Sequence, residues 1–306
     1  MNSGIFIGID LGGTSIKAGA VHGREVVARR EVATPHRYEN LVQTFARLVE
    51  DLCRDHQPAG VGLGIPGAVS TSGVVMDAPN LPFLDQQRPG EALRQRVGLE
   101  VILENDANVA ALGEARFGAG REHPDFLLAT IGTGIGGGII LVGRLFRGPG
   151  GLAGEFGHLS VHCERSCTCG ALGCVEACAS ANGMVAMARD EGLAVSGLPG
   201  LASQARSGHE GALKVFRKAG TLLGEAFAQV ALLLDLRVFL VGGGGAPVLD
   251  LLSKHALRVL SVRSFGRSAS DFLLQRAELG NDAGLIGAAA LAAEARFPSK
   301  SSSVPS

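Results

Sequence analysis

The feature that most constrains this chain is a cluster of three cysteines within eight residues, Cys167, Cys169 and Cys174. Two glycines between them allow the tight turns that bring three thiolates to one point, as a metal site requires. Zinc takes four Cys or His ligands in a tetrahedron, so one further ligand is needed. His158 is the favoured fourth ligand, and His162 and Cys163 are the alternatives because they lie closer in sequence. A closed site of four protein ligands leaves no position for water, so the sequence predicts a structural zinc. The competing interpretation is three buried free cysteines.

Acidic residues flank the cysteine segment. Glu155 lies three residues before His158, and Glu176 lies two residues after Cys174. A bound metal would make Glu155, His158 and Glu176 a rigid frame of two carboxylates and an imidazole. The sequence therefore predicts that the metal shapes a pocket and that another group carries out the chemistry.

Composition limits the class of partner. The 306 residues are 46% hydrophobic with a net charge of -1, which is enough for a large core and two domains. No long basic or acidic block occurs, which argues against nucleic-acid and membrane-surface partners and for a small molecule. The first residues lack a basic region and no apolar run reaches about 20 residues, so we expect neither a signal peptide nor a membrane span. Six cysteines at clustered metal spacing suit a reducing compartment better than a disulfide framework, so we expect a cytoplasmic protein.

A glycine turn lies between two predicted strands near the start of the chain, in IFIGIDLGGTSIKAGAV. A Walker A loop would end in GK[ST] and open a helix, and neither condition is met. The glycines let backbone N–H groups approach an anion, and the aspartate can hold a hydrated divalent cation. The residues of this predicted phosphate grip are Asp10, Gly12, Gly13, Thr14 and Lys17. An ordinary glycine hairpin is the alternative.

A second segment repeats this design. Residues 126–146, FLLATIGTGIGGGIILVGRLF, again combine strand, glycine turn and strand, and supply Gly132, Thr133 and Gly134. The G-x-G-x-x-G pattern is followed by a β-branched run where a dinucleotide-binding fold needs a helix, and residues 62–67 fail the same test. Two such turns about 120 residues apart predict a duplicated fold that holds one nucleotide between its halves.

A third glycine run follows a predicted strand, in RVFLVGGGG. A helix that begins beside such a turn can stack on a flat base without side-chain obstruction, and Gly243 and Gly244 are the residues concerned. The alternative is a helix-entry turn without a ligand.

Polar residues at a strand-to-helix junction form another candidate site. EVILEND ends a predicted strand and ANVAALGEARFG follows as an amphipathic helix, which places Asp106 at the junction. Loops at such junctions gather catalytic groups, but aspartate is also a good helix N-cap, and both roles can hold. The proline-bracketed loop Met76–Phe83 offers Asn80 as a hydrogen-bonding group.

Helices are predicted over 38–56, 182–190, 210–234 and the alanine-rich segment 281–295.

Together these motifs resemble the ROK family of bacterial sugar kinases, and within it the glucokinases, over essentially the whole chain. The matching motifs are DLGGT at 10–14, PNLPF at 79–83, ENDAN at 104–108, TGIGGG at 133–138, GEFGH at 154–158, CTCGALGCVE at 167–176 and VGGGG at 241–245. The cysteine motif combined with E-x-G-H is highly specific, whereas any one glycine loop would not be.

The resemblance implies an α/β actin-like ATPase (RNase H-like) fold of two domains with an active-site cleft between them. It implies a small domain of residues 1–107 completed by 284–297, and a large domain of 108–283 with the zinc and nucleotide sites. Residues 298–306, rich in Ser and Pro, are expected to be a flexible tail. The implied ligands are ATP with Mg²⁺ and a structural Zn²⁺, and the implied assembly is a homodimer or homotetramer.

The implied activity is transfer of a phosphoryl group from ATP to the 6-hydroxyl of a hexose, most closely that of a glucokinase. Carried over by motif, Asp106 is the expected general base. The expected substrate-binding residues are Gly67, Asn80, Asn105, Asp106, Glu155, His158 and Glu176, with His158 also a zinc ligand.

One departure from the family pattern concerns the sugar loop. Many members carry a glycine-tryptophan pair after the asparagine-leucine of this loop, whereas this chain reads NLPFLDQQ. An N-acetylhexosamine, fructose or allose therefore stays open as the substrate. The sequence also leaves open whether ATP or another donor, such as polyphosphate, supplies the phosphoryl group. Sugar-sensing repressors of the family carry a helix-turn-helix before the first glycine turn, and only nine residues precede Asp10, so a non-enzymatic sensor is disfavoured.

Overall fold

The computed structural model describes residues 4–297, so the predicted flexible tail lies outside the described residues. The strands are β1 (Phe6–Leu11), β2 (Ser15–His22), β3 (Glu25–Ala33), β4 (Val61–Ile65), β5 (Ala68–Val69), β6 (Val75–Asp77), β7 (Val101–Asn105), β8 (Phe126–Ile131), β9 (Ile135–Leu141), β10 (Arg144–Leu145), β11 (Val238–Gly242) and β12 (Leu273–Arg276). The helices are α1 (Tyr38–Cys53), α2 (Pro89–Val97), α3 (Asp106–Phe117), α4 (Val175–Ala179), α5 (Ala181–Asp190), α6 (Leu198–Arg206), α7 (Glu210–Leu234), α8 (Leu249–Arg263) and α9 (Ala283–Arg296).

The described chain divides into two compact units. Unit 1 consists of the described residues up to Gly118, the short segment Arg147–Leu152 and the described residues from Asn281 onward. Unit 2 consists of Ala119–Phe146 and Ala153–Gly280. The division differs from the boundary expected at residue 107, because α3 belongs to unit 1 together with β7, the strand that leads into it.

Unit 1 is built on a five-stranded sheet in the order β3-β2-β1-β4-β7. The first three strands form an antiparallel meander, and β4 and β7 continue the sheet in parallel with β1. Every residue of β4 is buried, as expected for a parallel strand covered on both faces. Helix α1 packs its apolar face, which includes Leu41, Phe45 and Leu52, into the core of this unit.

Unit 2 contains a second five-stranded sheet, in the order β10-β9-β8-β11-β12. Its first three strands are again an antiparallel meander, and β11 and β12 are again parallel to the strand that begins the unit. The two sheets thus share strand order and strand direction, which is the duplication that the two glycine turns predict. Phe227 of α7 stacks on Phe156 at 5.1 Å between ring centroids and packs on Phe239 of β11 at 4.7 Å.

Glycines bring α9 into close contact with its neighbours in unit 1. A Cβ on Gly287 of α9 would lie 1.7 Å from the carbonyl oxygen of Val109 in α3. A Cβ on Gly62 of β4 would lie equally close, at 1.7 Å, to the carbonyl oxygen of Ala288. Only glycine allows backbones to approach this closely. The C-terminal helix is therefore part of the core of unit 1.

The helices with a clear apolar period agree best with the sequence-based expectation. Helix α7 spans Glu210–Leu234 as predicted, and α1 ends at Cys53, three residues earlier than predicted. Strand β3 was not predicted, because it lies at the edge of the sheet and its charged residues obscure the alternation of apolar and polar positions. None of the helices within residues 4–297 combines the length and apolar character that a membrane crossing requires.

Candidate active site and metal centre

The turn between β1 and β2 has the geometry expected of a phosphate grip. The N–H of Gly12 donates to the carbonyl oxygen of Ser15 at 2.9 Å and closes the turn. Gly13 and Thr14 are exposed at its tip, and a Cβ on Gly13 would meet no described atom within 4 Å. The turn therefore presents backbone N–H groups and a hydroxyl to solvent, where an anion can reach them.

Asp10 lies near the carboxyl end of β1, opposite Lys17 of β2 in the strand register. Burial raises the pKa of the Asp10 carboxyl group, and the positive charge of Lys17 opposes part of this increase. The first turn of α9 lies against the carboxylate, because a Cβ on Gly284 would come within 2.8 Å of Asp10 Cγ. A helix N-terminus favours negative charge, so α9 opposes the effect of burial on the Asp10 carboxyl group. An ionised carboxylate beside the turn suits a hydrated divalent cation.

The chain enters α3 from β7 through Asn105, and Asp106 is the first helical residue. Asn105 Oδ1 accepts hydrogen bonds from the N–H groups of Ala107 at 2.9 Å and Asn108 at 3.0 Å. Asn105 is therefore the N-cap, and the interpretation of Asp106 as the cap is wrong by one residue. The reason is that the extended conformation of β7 continues through Asn105 (φ -64°, ψ 147°), as an N-cap requires. Asp106 Oδ1 accepts from the N–H of Ala107 at 2.8 Å, in the first turn where negative charge is favoured.

Asn105 also joins the junction to the preceding loop. Its Nδ2 donates to the carbonyl oxygen of Gly67 at 3.0 Å, which brings two of the expected substrate-binding residues together. Glu104, only 4% exposed, accepts from the N–H of Asn105 at 2.9 Å and from Asn108 Nδ2 at 3.0 Å. Glu104 was not predicted to have a role, although a carboxylate within an apolar strand is unusual and was the signal available in the sequence.

Asn80 is exposed on the loop between β6 and α2. The N–H of Leu81 donates to the carbonyl oxygen of Ala78, and the N–H of Ala78 donates to Asp85 Oδ1, both at 2.8 Å. A 3-10 turn at Pro82–Leu84 completes the loop. Asp85 thus holds the backbone that presents Asn80.

The β8–β9 turn of unit 2 is also closed by a backbone hydrogen bond, which spans one residue fewer than the bond in unit 1. The N–H of Gly132 donates to the carbonyl oxygen of Gly134 at 2.8 Å, and Thr133 is exposed at the tip. The carbonyl oxygen of Gly132 accepts from the N–H of Ala181 at 2.9 Å, which attaches the turn to the start of α5.

The glycine run after β11 lies beside this second turn. Gly243 has a left-handed φ of 71°, and a Cβ there would lie 2.6 Å from the carbonyl oxygen of Ile131 at the end of β8. Both the conformation and the close contact require glycine. Gly243 and Gly244 are exposed and begin a 3-10 turn that leads into α8. Two of the expected nucleotide-binding segments therefore adjoin within unit 2.

Glu176 connects the second turn to the cysteine segment. Its Oε2 accepts from the N–H of Ile135 at 2.7 Å, at the point where β9 begins. A Cβ on Gly134 would lie 2.3 Å from the same oxygen, so glycine makes room for the carboxylate. The other oxygen, Oε1, lies 3.7 Å from Cys167 Sγ. Glu176, expected as a sugar ligand, thus also supports the glycine turn.

The four expected metal ligands come together in unit 2. His158, Cys167, Cys169 and Cys174 offer ligand atoms that all lie within 4.8 Å of one another. Cys169 Sγ lies 3.6 Å from Cys174 Sγ, and Cys167 Sγ lies 3.7 Å from His158 Nδ1. A tetrahedral zinc with Zn–S bonds of about 2.3 Å would hold its sulfur ligands about 3.8 Å apart, so the donor set and its spacing fit zinc. Glu155 Oε2 lies 3.9 Å from His158 Nε2, on the other side of the ring.

The cysteines of this cluster differ in acidity. Hydrogen bonds from the backbone N–H of Ala171 and from the Cys167 side chain lower the pKa of Cys169 to about 7. Burial, with hydrogen bonding to Cys169, raises the pKa of Cys174 to about 12. A thiolate is the form that binds metal, so the exposed Cys169 is the thiol best prepared to do so near neutral pH.

The two alternative ligands have other partners. Cys163 forms a disulfide with Cys178, which differs from the expectation that disulfides are absent. Fifteen residues separate these cysteines, and they meet because the chain folds back in an antiparallel bridge between Ser160 and Cys174. Such a pairing depends on tertiary folding and has no signature in the cysteine spacing.

His162 is held away from the metal cluster by Glu225 of α7. Its Nδ1 lies 2.8 Å from Glu225 Oε2, and its backbone N–H donates to the same oxygen at 2.9 Å. Burial acts to raise the pKa of Glu225, but the hydrogen bonds of His162 and the charge of Arg263 outweigh it and hold that pKa below its usual value. His158 is therefore the histidine that the fold brings to the cysteines.

Known proteins resemble this chain over nearly its whole length. The glucokinase of Streptomyces coelicolor is 38% identical, and the alignment covers 95% of this chain and 98% of that protein. The N-acetyl-D-glucosamine kinase of Pasteurella multocida is 33% identical, with 93% and 98% covered. The crystal structure of a ROK family glucokinase from Streptomyces griseus in complex with glucose and AMPPNP is 37% identical, has a TM-score of 0.82, and is matched over 95% of this chain and 100% of that one.

The comparisons confirm the fold class predicted from the motifs, an α/β actin-like ATPase fold. Residues 6–295 match the sequence profile of the ROK family. This range contains both glycine turns, the β7–α3 junction and the cysteine segment. The chain belongs to the ROK family.

Proposed function

We propose that this protein is an ATP-dependent sugar kinase that phosphorylates the 6-hydroxyl of a hexose, with glucose as the preferred substrate. The observation that carries the proposal is the β7–α3 junction. There Asn105 is fixed by its N-cap bonds and by Gly67, and Asp106 is the next residue, in the first turn of the helix. A carboxylate held in this way beside a fixed amide can bind a sugar hydroxyl and accept its proton.

Asp106 acts as the general base in this proposal. Phosphoryl transfer needs little covalent work from the protein, because positioning and charge neutralisation supply most of the catalysis. The Asp106 carboxylate accepts the proton of the attacking hydroxyl, a role that contributes about 10² to 10⁴ in rate. Its place in the first turn of α3 favours a negative charge on the side chain.

ATP is held by the glycine turns. Gly12, Gly13 and Thr14 in unit 1 and the equivalent Gly132, Thr133 and Gly134 in unit 2 offer backbone N–H groups and hydroxyls to the phosphates. Gly243 and Gly244 leave room for the adenine base. Lys17 adds positive charge, and Asp10 would hold the Mg²⁺ that accompanies ATP and neutralises its phosphates.

The sugar is bound through paired hydrogen bonds. A free hexose is uncharged and polar, and a buried hydroxyl left without a partner costs about 1 to 3 kcal/mol. The amides of Asn80 and Asn105, the carboxylates of Glu155 and Glu176 and the imidazole of His158 match this need.

The metal centre is proposed as a structural zinc bound by His158 and the three cysteines. Four protein ligands leave no open coordination position, so the zinc supplies no nucleophile and fixes the segment between Glu155 and Glu176. As the family resemblance implies, the protein is also proposed to form a homodimer or homotetramer, which sedimentation equilibrium measures directly.

The function is tested by ADP release with Mg-ATP across glucose, mannose, fructose, allose, glucosamine, N-acetylglucosamine and N-acetylmannosamine. We expect the highest kcat/KM with glucose. The 33% identity to an N-acetyl-D-glucosamine kinase makes an amino-sugar kinase the second candidate, and a preference for an acetylated sugar would select it. Absence of turnover with every sugar, and with polyphosphate in place of ATP, would contradict a kinase.

The base is tested by Asp106→Asn, which keeps the shape of the side chain and removes its basicity. We expect kcat to fall by about 10² to 10⁴ while calorimetry shows sugar binding preserved. Asp51→Asn is the matched control and should leave turnover unchanged, because within residues 4–297 Asp51 forms an ion pair with surface residue Arg54 at 3.2 Å. More than a tenth of the wild-type rate in Asp106→Asn would contradict the assignment.

A further inference from the structure

We propose that Glu104 and Arg147 are positioning residues for the phosphoryl transfer, and that they act through Asn105 and Asp106. The inference rests on the proposed function, which gives those two residues their roles. Neither Glu104 nor Arg147 is expected to touch the sugar or ATP.

Glu104 is bonded to the residues on either side of the proposed base. Its Oε1 accepts from the N–H of Asn105 at 2.9 Å and from Nδ2 of Asn108 at 3.0 Å. Asn105 caps α3, and Asn108 lies in the first turn of that helix. One carboxylate thus holds the strand end and the helix start, and Asp106 lies between the two points of attachment.

Arg147 supplies the positive charge that offsets the energetic cost of burying the Glu104 carboxylate. Glu104 is 4% exposed, and a buried carboxylate is costly unless it is paired and hydrogen-bonded. Arg147 Nε donates to Glu104 Oε2, the oxygen that the asparagines do not use. Because each oxygen of Glu104 has its own partners, removing the guanidinium would leave a buried negative charge next to the hydrogen bonds that fix Asn105.

Arg147 is the first residue of a short segment that packs on unit 1 and holds the arginine in place. Residues Arg147–Leu152 belong to unit 1, although the chain before and after them belongs to unit 2. At the other end of the segment, Gly151 has a φ of 87°, and a Cβ there would lie 2.7 Å from the carbonyl oxygen of Val69. The segment is therefore attached to unit 1 at both ends, which orients Arg147 towards Glu104.

A cavity of about 450 Å³ lies beside the pair and is lined by both residues together with the turn Ser70–Gly73. The Arg147 side chain is 40% exposed, so solvent reaches this ion pair from one side. A small cation can therefore enter the space that a truncated arginine would leave, which allows chemical rescue to be tested.

The first test measures kcat and both KM values for Arg147→Ala, Glu104→Gln and the double variant. We expect Arg147→Ala to lower kcat about 10- to 100-fold, because small misplacements of a reacting group have effects of this size, while KM for ATP changes little. The double variant should be faster than Arg147→Ala, since a neutral glutamine leaves no unpaired charge. Arg144→Ala, a nearby exposed arginine, is the matched control and should behave as wild type.

Two further measurements separate positioning from a general loss of structure. Guanidinium chloride at low millimolar concentration should restore part of the kcat of Arg147→Ala, whereas urea should not, and Arg147→Lys should retain more activity than the alanine variant. In the Asp106→Asn background, Arg147→Ala should add little further loss, because residues that act as a unit are not additive.

Failure of this proposal can be distinguished from failure of the proposed function. An active wild type with an equally active Arg147→Ala, or losses that multiply in the double variants, would overturn the positioning role. If the wild type phosphorylates no sugar, the proposed function fails, and amide exchange then decides whether the pair holds the junction. Faster exchange at Asn105–Asn108 in Arg147→Ala would support that role, and unchanged exchange would overturn it.

Discussion

The two glycine turns differ in where their acidic residue comes from. Each joins the first two strands of its sheet and is closed by a backbone hydrogen bond of nearly the same length, 2.9 Å from Gly12 and 2.8 Å from Gly132. In unit 1 the carboxylate is Asp10, which belongs to the strand that leads into the turn. In unit 2 the carboxylate is Glu176, which reaches the turn from α4.

The difference predicts unequal dependence on the metal centre. Asp10 is placed by β1 and by α9, both of which belong to unit 1. Glu176 lies only two residues after Cys174, a proposed zinc ligand, and its Oε1 lies 3.7 Å from Cys167 Sγ. Anything that loosens the cysteine segment should therefore disturb the turn of unit 2 and leave that of unit 1 intact.

The largest effect is expected from Cys169→Ser, which removes one of the proposed zinc ligands. Zinc binding contributes on the order of 10 kcal/mol in small zinc modules, so metal content and thermal stability should both fall sharply. KM for ATP should rise as well, because Glu176 loses its fixed position. Cys53→Ser, which changes a free cysteine of α1 in unit 1, is the control.

Metal analysis and thermal unfolding of the purified proteins check this prediction. Wild-type protein that contains no zinc would contradict it. Zinc loss without any change in KM for ATP would contradict the connection between the metal and the second turn.

An intermediate effect is expected from Gly134→Ala. The new Cβ would lie 2.3 Å from Glu176 Oε2, so the carboxylate must move, and overpacking of this kind costs about 1 to 3 kcal/mol. We expect KM for ATP to rise by about tenfold, the change that 1.4 kcal/mol would produce. Gly150→Ala, which lies outside both glycine turns, is the control, because its Cβ would meet no described atom within 4 Å. Equal kinetics for the two variants would show that Glu176 does not support the turn.

The smallest effect is expected from Gly284→Ala, which tests the acidic residue of the first turn. Its Cβ would lie 2.8 Å from Asp10 Cγ, so the carboxylate must shift within its own unit. We expect a higher Mg²⁺ requirement, a few-fold at most, with zinc content unchanged. Titration of turnover with Mg²⁺ at fixed ATP measures this requirement. A simultaneous loss of zinc would contradict the conclusion that the first turn does not depend on the metal centre.

Local patterns predicted much of this fold. The β-branched residues on either side of a glycine turn identified β1 with β2 and β8 with β9, and the recurrence of this design predicted a duplicated fold. The two sheets do share one strand order. Both ends of helix α7 were predicted correctly, because its apolar residues recur with helical period over 25 residues. The cysteine spacing and His158 predicted four ligands that the fold does bring together.

The N-cap of α3 shows the limit of such patterns. Asn105 and Asp106 are both good capping residues, and their order in the sequence does not say which one ends the strand. The register of β7 beside β4 decides it, since Ile65 pairs with Asn105 and keeps that residue extended.

What the sequence determined by itself is therefore the set of short-range structures, because strand alternation, helical period, glycine turns and metal-ligand spacing all act over a few neighbouring residues. Contacts between distant segments could be seen only once the chain was folded, such as Arg147 with Glu104, Glu176 with the β8–β9 turn, and Cys163 with Cys178. Each of these pairs joins residues that lie 15 or more positions apart. Their meeting depends on how the sheets, helices and loops of each unit pack, and that packing has no local period in the sequence.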